Sequence, residues 1–198
     1  MKENNFSFTN IKELSIKMIG FWNVRIFNPA WFTEYILKDL NIKEPLDFSI
    51  DLKNMVINGY KFDGIEFMIT NNIVNIKVEE NNLKQIENAN IILIKILKLL
   101  PFTPINGIGF NVVYNFPVSS DIKFVKEFKN IQKITEDSFS LNTYTKSLKE
   151  KDCLINVVIT ENNSDNDINF NFHYDKNYNF EIDTFFKKIK KTQIYLYE

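Results

Sequence analysis

The chain of 198 residues is short of the residues on which much protein chemistry depends. It has one cysteine, Cys153, which excludes an intramolecular disulfide and a cysteine-based metal site. It has one histidine, His173, so a histidine metal site would need carboxylates for all its other ligands, and no His-x-Glu or Glu-x-x-His pattern is present. Arginine occurs only at Arg25, and alanine only at Ala30 and Ala89. With Asn, Ile, Lys and Phe abundant, this bias is that of an AT-rich coding sequence of bacterial kind, so a lysine-rich surface reflects codon supply. Glycine and proline number five each. The one G-x-G, at 107–109, follows a helical run and precedes an alternating one. A dinucleotide fingerprint needs strand, G-x-G-x-x-G, then helix, so a phosphate loop is rejected. Long apolar runs are also missing: IILIKILKLLPF (91–102) is broken by Lys95 and Lys98 and is too short to span a bilayer. The opening MKENNFSFTNIKEL has neither an apolar core nor a small-residue cleavage site, so no secretory signal is expected. A net charge of −1 gives no global pull toward nucleic acid or an anionic membrane. The expectations are a reducing cytoplasm, no membrane association, no cofactor and no metal.

What is present is hydrophobic and aromatic: 44% apolar residues, 15% aromatic, 19 of them Phe. That is ample surface to offset chain entropy. Residues 1–9 are polar and expected to be disordered. ELSIKMI (13–19) alternates as a strand, Gly20 marks a bulge or bend, and FWNVRIF (21–27) continues extended. NPAWFTEYILKDL (28–40) reads as a helix with Asn28 as cap and Pro29 at its first position. Three strands follow: 46–53, then 59–70 with Gly64 as a bulge, then 73–80 after an Asn71-Asn72 turn. Residues 83–100 have the strongest helical periodicity, ended by Pro101.

From Ile108 the order repeats. IGFNVVYNF (108–116) is a strand, 121–134 an amphipathic helix, and 137–145, 152–160 and 166–175 are three more strands before a helix from 180 to at least Lys191. NVRIFNP (23–29) before the first helix echoes NVVYNFP (111–117) before the second. The reading is α+β: two similar β-α-β-β-β-α units, 10–103 and 104–198, fused into one domain, with a mainly antiparallel sheet and helices on one face. Pro101, Pro104, Gly107 and Gly109 mark the hinge between them. This topology resembles the saddle of the TATA-binding-protein fold. The resemblance is one of element order, and a shared fold does not carry function.

Several constellations have residue types that could carry chemistry. His173 shares a strand face with Asn169 and Asn171, where an ordinary sheet residue is the simpler reading than a general base. Cys153 with Asp152 and His173 has the composition of a nucleophile set, but Cys153 lies among Leu154, Ile155 and Val157, as a small buried hydrophobe does. Asp165 and Asp167 lack the glycine and glutamate of a calcium loop and read as a hairpin turn. Asp63 and Glu66 fall on opposite strand faces, and KKIKK (187–191) reads as a solvated helix face.

One collective feature remains. The strand faces opposite the apolar ones carry neutral amides and hydroxyls: Ser138, Ser140 and Asn142, then Asn169, Asn171 and His173, which Asn111 and Asn115 join if the first strand of the second unit lies alongside. The expected function is a non-catalytic binding or assembly protein that uses this polar face, or a sheet edge, to contact a protein partner or a second copy. The alternatives are a nucleic-acid-associated protein with a saddle-like sheet, and a hydrolase or transferase built on His173 with a carboxylate.

Overall fold

In the computed structural model, the described residues are 8–40, 42, 46–120, 122, 124–126, 143–150, 153–175, 177–181 and 183–197. They form a mixed α+β fold on one antiparallel sheet of nine strands. The strands are β1 (Ile11–Gly20), β2 (Asp47–Asp51), β3 (Val56–Phe62), β4 (Ile65–Ile69), β5 (Ile73–Val78), β6 (Ile105–Pro117), β7 (Thr143–Lys149), β8 (Leu154–Glu161) and β9 (Asp165–Tyr174). Across the sheet the order is β2-β3-β4-β5-β1-β6-β9-β8-β7, so β1 and β6 meet in the middle.

Strict alternation makes the sheet two-sided. Register joins Phe48, Tyr60, Phe67, Ile76, Ile16, Phe110, Phe172, Ile155 and Leu148 into one row that crosses every strand. From Tyr60 to Ile155 this row is buried. It is covered by α2 (Leu83–Leu99), which packs on β5, and α3 (Thr184–Tyr197), which packs on β6 and against α2. Burying each such side chain is worth about 1.5–3 kcal/mol, which makes this side the core.

Local signals set the helix ends. The Asn82 side chain accepts a hydrogen bond from Gln85 N and caps α2. The Asn28 side chain accepts one from Trp31 N, with Pro29 in the first turn of α1 (Pro29–Trp31). The helix then widens into a π-type turn over Phe32–Leu37. Its Phe32 ring stacks on Tyr60 at 4.1 Å, and burial pushes the Tyr60 hydroxyl up to about 12 while it donates to the Phe27 carbonyl.

The structure corrects four readings. Residues 59–70 are not one bulged strand but the hairpin β3–β4. Asp63 and Gly64 both take positive φ, 44° and 71°, which closes a two-residue turn whose twist matches the strands. The first flank therefore has four strands after its helix, not three. Val24–Phe27 is a 3-10 turn rather than extended chain, because the Asn23 side chain accepts from Arg25 N and folds the backbone back. Residues 146–149, beyond the end of the strand expected at 137–145, belong to β7. The bulge near Gly20 is present, as a register shift between Ile19 and Gly20. The Asn71-Asn72 turn is also present, but neither residue has positive φ; the Thr70 hydroxyl accepts from both Asn72 N and Ile73 N. Most of the helix expected at 121–134 and of the strand expected at 137–145, along with residues 1–7, lies outside the described residues.

Candidate contact face on the open side of the sheet

The other side of the sheet carries the alternate residues. One row runs Asp47, Lys61, Glu66, Lys77, Ser15, Asn111, Asn171, Asn156, Ser147. The next runs Ser49, Gly59, Met68, Asn75, Lys17, Gly109, His173, Leu154, Lys149. Among the described residues no helix lies over these rows; Asn171, His173 and Asn156 on β9 and β8 are half-buried, and Leu154 is exposed.

The predicted residues Asn169, Asn171 and His173 sit together on this face of β9. Ser138, Ser140 and Asn142 lie outside the described residues. Asn111 joins the group: it is 6% exposed, and its Oδ1 accepts from Asn171 Nδ2 at 2.7 Å. On the next strand pair Ser147 Oγ donates to Asn156 Oδ1, also at 2.7 Å. Asn115 Nδ2 donates to Asp167 Oδ1 at 2.8 Å, and Asp167 Oδ2 pairs with Lys12 at 2.7 Å. That bond raises the Lys12 pKa.

The glycines of β6 make room for this layer. A Cβ on Gly107 would stand 2.3 Å from His173 Cε1, and one on Gly109 would stand 2.7 Å from Asn171 Nδ2. Both β9 side chains therefore lie flat across β6. The glycines thus admit a close approach by side chains of the neighbouring strand.

The amides are only partly used. Asn75 Oδ1, Asn111 Nδ2 and Asn169 Oδ1 are enclosed and have no hydrogen-bond partner. Leaving such an atom unsatisfied costs about 1–3 kcal/mol.

Sequence reasoning passed over Asn156, Ser147 and Asn75. Strand parity places them on this face, but in LINVVIT both parities are apolar, with Leu154 and Val158 beside Asn156. The alternation that marked β9 is blurred there.

The other constellations separate. His173 is on the open face, whereas Cys153 is buried on the helix side, its thiol donating to Glu150 Oε2 at 3.7 Å. Burial pushes that thiol up, away from the thiolate a nucleophile needs. Asp152 lies outside the described residues. Asp63 is in the β3–β4 turn, paired with Lys84 at 2.7 Å, and Glu66 points to the open face. Asp165 is held by Asn162 and Ser164 within the β8–β9 turn, and these bonds keep its carboxyl below the usual range. Of the KKIKK run, Lys187 pairs with Glu181 and Asp183, Lys188 lies over the Phe172 and Tyr174 rings, and Lys191 pairs with Glu150. Among the described residues no group of His, Cys, Asp and Glu has the arrangement of a metal site, and no helix is long and apolar enough to cross a membrane.

In comparison with known proteins, no protein-family model and no curated protein sequence matches this chain.

Proposed function

We propose that this protein is a non-catalytic assembly protein of the cytoplasm, whose open sheet face docks on a second copy of the same chain. The observation that carries this reading is the row Asn111, Asn171, Asn156, Ser147. Each of these side chains both donates and accepts, so the row is complementary to itself, as the contact in a twofold dimer must be. The face also carries charges of both signs: Lys17, Lys61, Lys77 and Lys149 stand with Glu13, Asp47, Glu66 and Asp167. Two such faces meet without net repulsion.

The same balance weighs against the nucleic-acid alternative, which needs a basic surface, and the open-face rows of the described strands carry no Phe, Tyr or Trp for bases to stack on, His173 being their one aromatic ring. The strand order supports the two-unit reading of the fold. Outward from the central pair, one flank runs β1, β5, β4, β3, β2 and the other β6, β9, β8, β7, each descending in sequence after its first strand. An approximate twofold between β1 and β6 gives this order, as in the TATA-binding-protein saddle.

Light scattering at about 10–100 µM tests the proposal, a range set by the weak end of specific association. The expected mass is that of a dimer, with Ser147→Glu and Asn156→Glu together shifting it to monomer and Lys190→Glu, on α3, leaving it unchanged. A monomer throughout, or a dimer indifferent to the open-face pair, overturns it.

A further inference from the structure

At one end of the first flank the segment after β1 meets the β2–β3 and β4–β5 turns around a cavity of about 380 Å³. That volume is within the range of small-molecule sites. Arg25 and Asp51 both line it, with the amides of Asn23, Asn54, Asn58 and Asn71. A second hollow, of about 230 Å³, lies beside it and shares Arg25.

Arg25 is the one arginine in a chain that otherwise relies on lysine for its cationic side chains. Arginine differs from lysine in offering a planar fork of donors that fits a carboxylate in two places. Among the described residues its guanidinium makes no ion pair and no hydrogen bond. Asp51 is fixed from the other side. Its Oδ1 accepts from the backbone N–H groups of Lys53 and Asn54, and its Oδ2 accepts from Asn54 Nδ2 at 2.7 Å. These bonds hold its carboxyl below the usual range, so it stays charged at neutral pH.

Two opposite charges thus face one cavity without pairing with each other. A simple anion there meets Asp51, and a simple cation meets Arg25. A molecule bearing both charges satisfies both walls. Neutral donors also line it: Asn58 Oδ1 accepts from Ser49 and Asn23 Oδ1 accepts from Arg25 N, so each of these side chains keeps its NH₂ group as a donor for a carboxylate. Val24, Val56 and Ile69 supply apolar wall for a side chain.

We propose that this cavity binds a free α-amino acid, with its carboxylate on Arg25 and its ammonium on Asp51. The site is distinct from the open sheet face and does not depend on dimerisation. The test is an amide NMR titration of the full chain with L-alanine, L-leucine and L-glutamine, and with acetate and methylammonium as carriers of one charge each. At least one amino acid is expected to give saturable shifts confined to residues 23–25, 51–58 and 69–71. Either single-charge control should bind about tenfold more weakly or worse, the loss expected for one missing charged contact. Arg25→Gln is expected to weaken the amino acid by a similar factor while leaving the melting temperature unchanged, since Arg25 is exposed and supports no contact. Asp51→Asn, which keeps the turn-capping oxygen, should also weaken it. No saturable shift with any of the three amino acids, equal binding of acetate alone, or undiminished binding by Arg25→Gln overturns the assignment.

Discussion

From Ser15 at the centre of the open face, one flank continues through Lys77, Glu66, Lys61 and Asp47, and the other through Asn111, Asn171, Asn156 and Ser147. The first is a ladder of alternating charges, the second a ladder of amides and hydroxyls. On the covered side the same two flanks are nearly interchangeable: Tyr60, Phe67 and Ile76 on one, Phe110, Phe172 and Ile155 on the other. Burial under helices constrains both flanks to the same oily chemistry. No helix constrains the open side among the described residues, and there the flanks diverge. The chemical difference between the flanks therefore lies on the open side, where the proposed contact face is.

The largest test of that comparison is whether the covered sides act as one core. Phe67→Ala and Phe172→Ala should each destabilise the protein by about 3–5 kcal/mol, since each removes a fully buried aromatic ring. Trp22 and Trp31 both lie on the first flank, near Phe27, so their fluorescence reports that flank, whereas far-ultraviolet dichroism reports both. Urea unfolding of the Phe172→Ala protein should give coincident curves by the two probes, because β1 and β6 are paired along most of their lengths. A dichroism curve that moves while the fluorescence curve stays would split the flanks.

A smaller effect sharpens the contrast on the open side. Gly107→Ala should cost about 1–3 kcal/mol through overpacking against the His173 ring. His173→Ala in the same chain should recover most of it, a coupling that a double-mutant cycle measures. Independent, additive losses would mean that the ring does not lie over β6.

The smallest effect concerns acid. Glu150, beyond the end of β7, accepts from Tyr195 at 3.2 Å and pairs with Lys191 on α3. Partial burial works to raise its carboxyl, but these bonds outweigh it and hold the pKa below the usual glutamate value. A carboxyl whose folded pKa is lowered stabilises fully above the unfolded value and loses that contribution as pH falls through the folded one. Thermal melts between about pH 5 and pH 3 should therefore show a shallower acid loss in Glu150→Gln than in the parent. An identical acid slope would remove the tie between the second flank's edge and its helix.

Much of this architecture is written in local pattern. Alternation in LSIKM, IVNIKV and INFNFHY marks β1, β5 and β9, and the wide apolar stripe of 83–99, with Asn82 before it and Pro101 after it, marks α2. Local pattern failed where two signals competed. The Asp63-Gly64 hairpin passed for a bulge because both interrupt a strand with one glycine. The Asn23 cap turned an apolar, extended-looking VRIF into a 3-10 turn. Of the predicted contact residues, Asn169, Asn171 and His173 were legible because β9 alternates cleanly. Asn156 was not, because its strand is apolar on both parities.

The sequence by itself determined which residues are oily enough to demand burial, which face of most strands they occupy, and where α2 begins and ends. These depend on periodicities of two and 3.6 residues and on caps a few residues away. Only the tertiary structure decided which strands lie side by side, and hence that Asn111, Asn171, Asn156 and Ser147 form one row and that Arg25 and Asp51 face one cavity. Those neighbours are brought together by backbone register between distant strands and by loops meeting at the sheet's end. A one-residue slip of register would leave every local pattern intact and send each of these side chains to the opposite face.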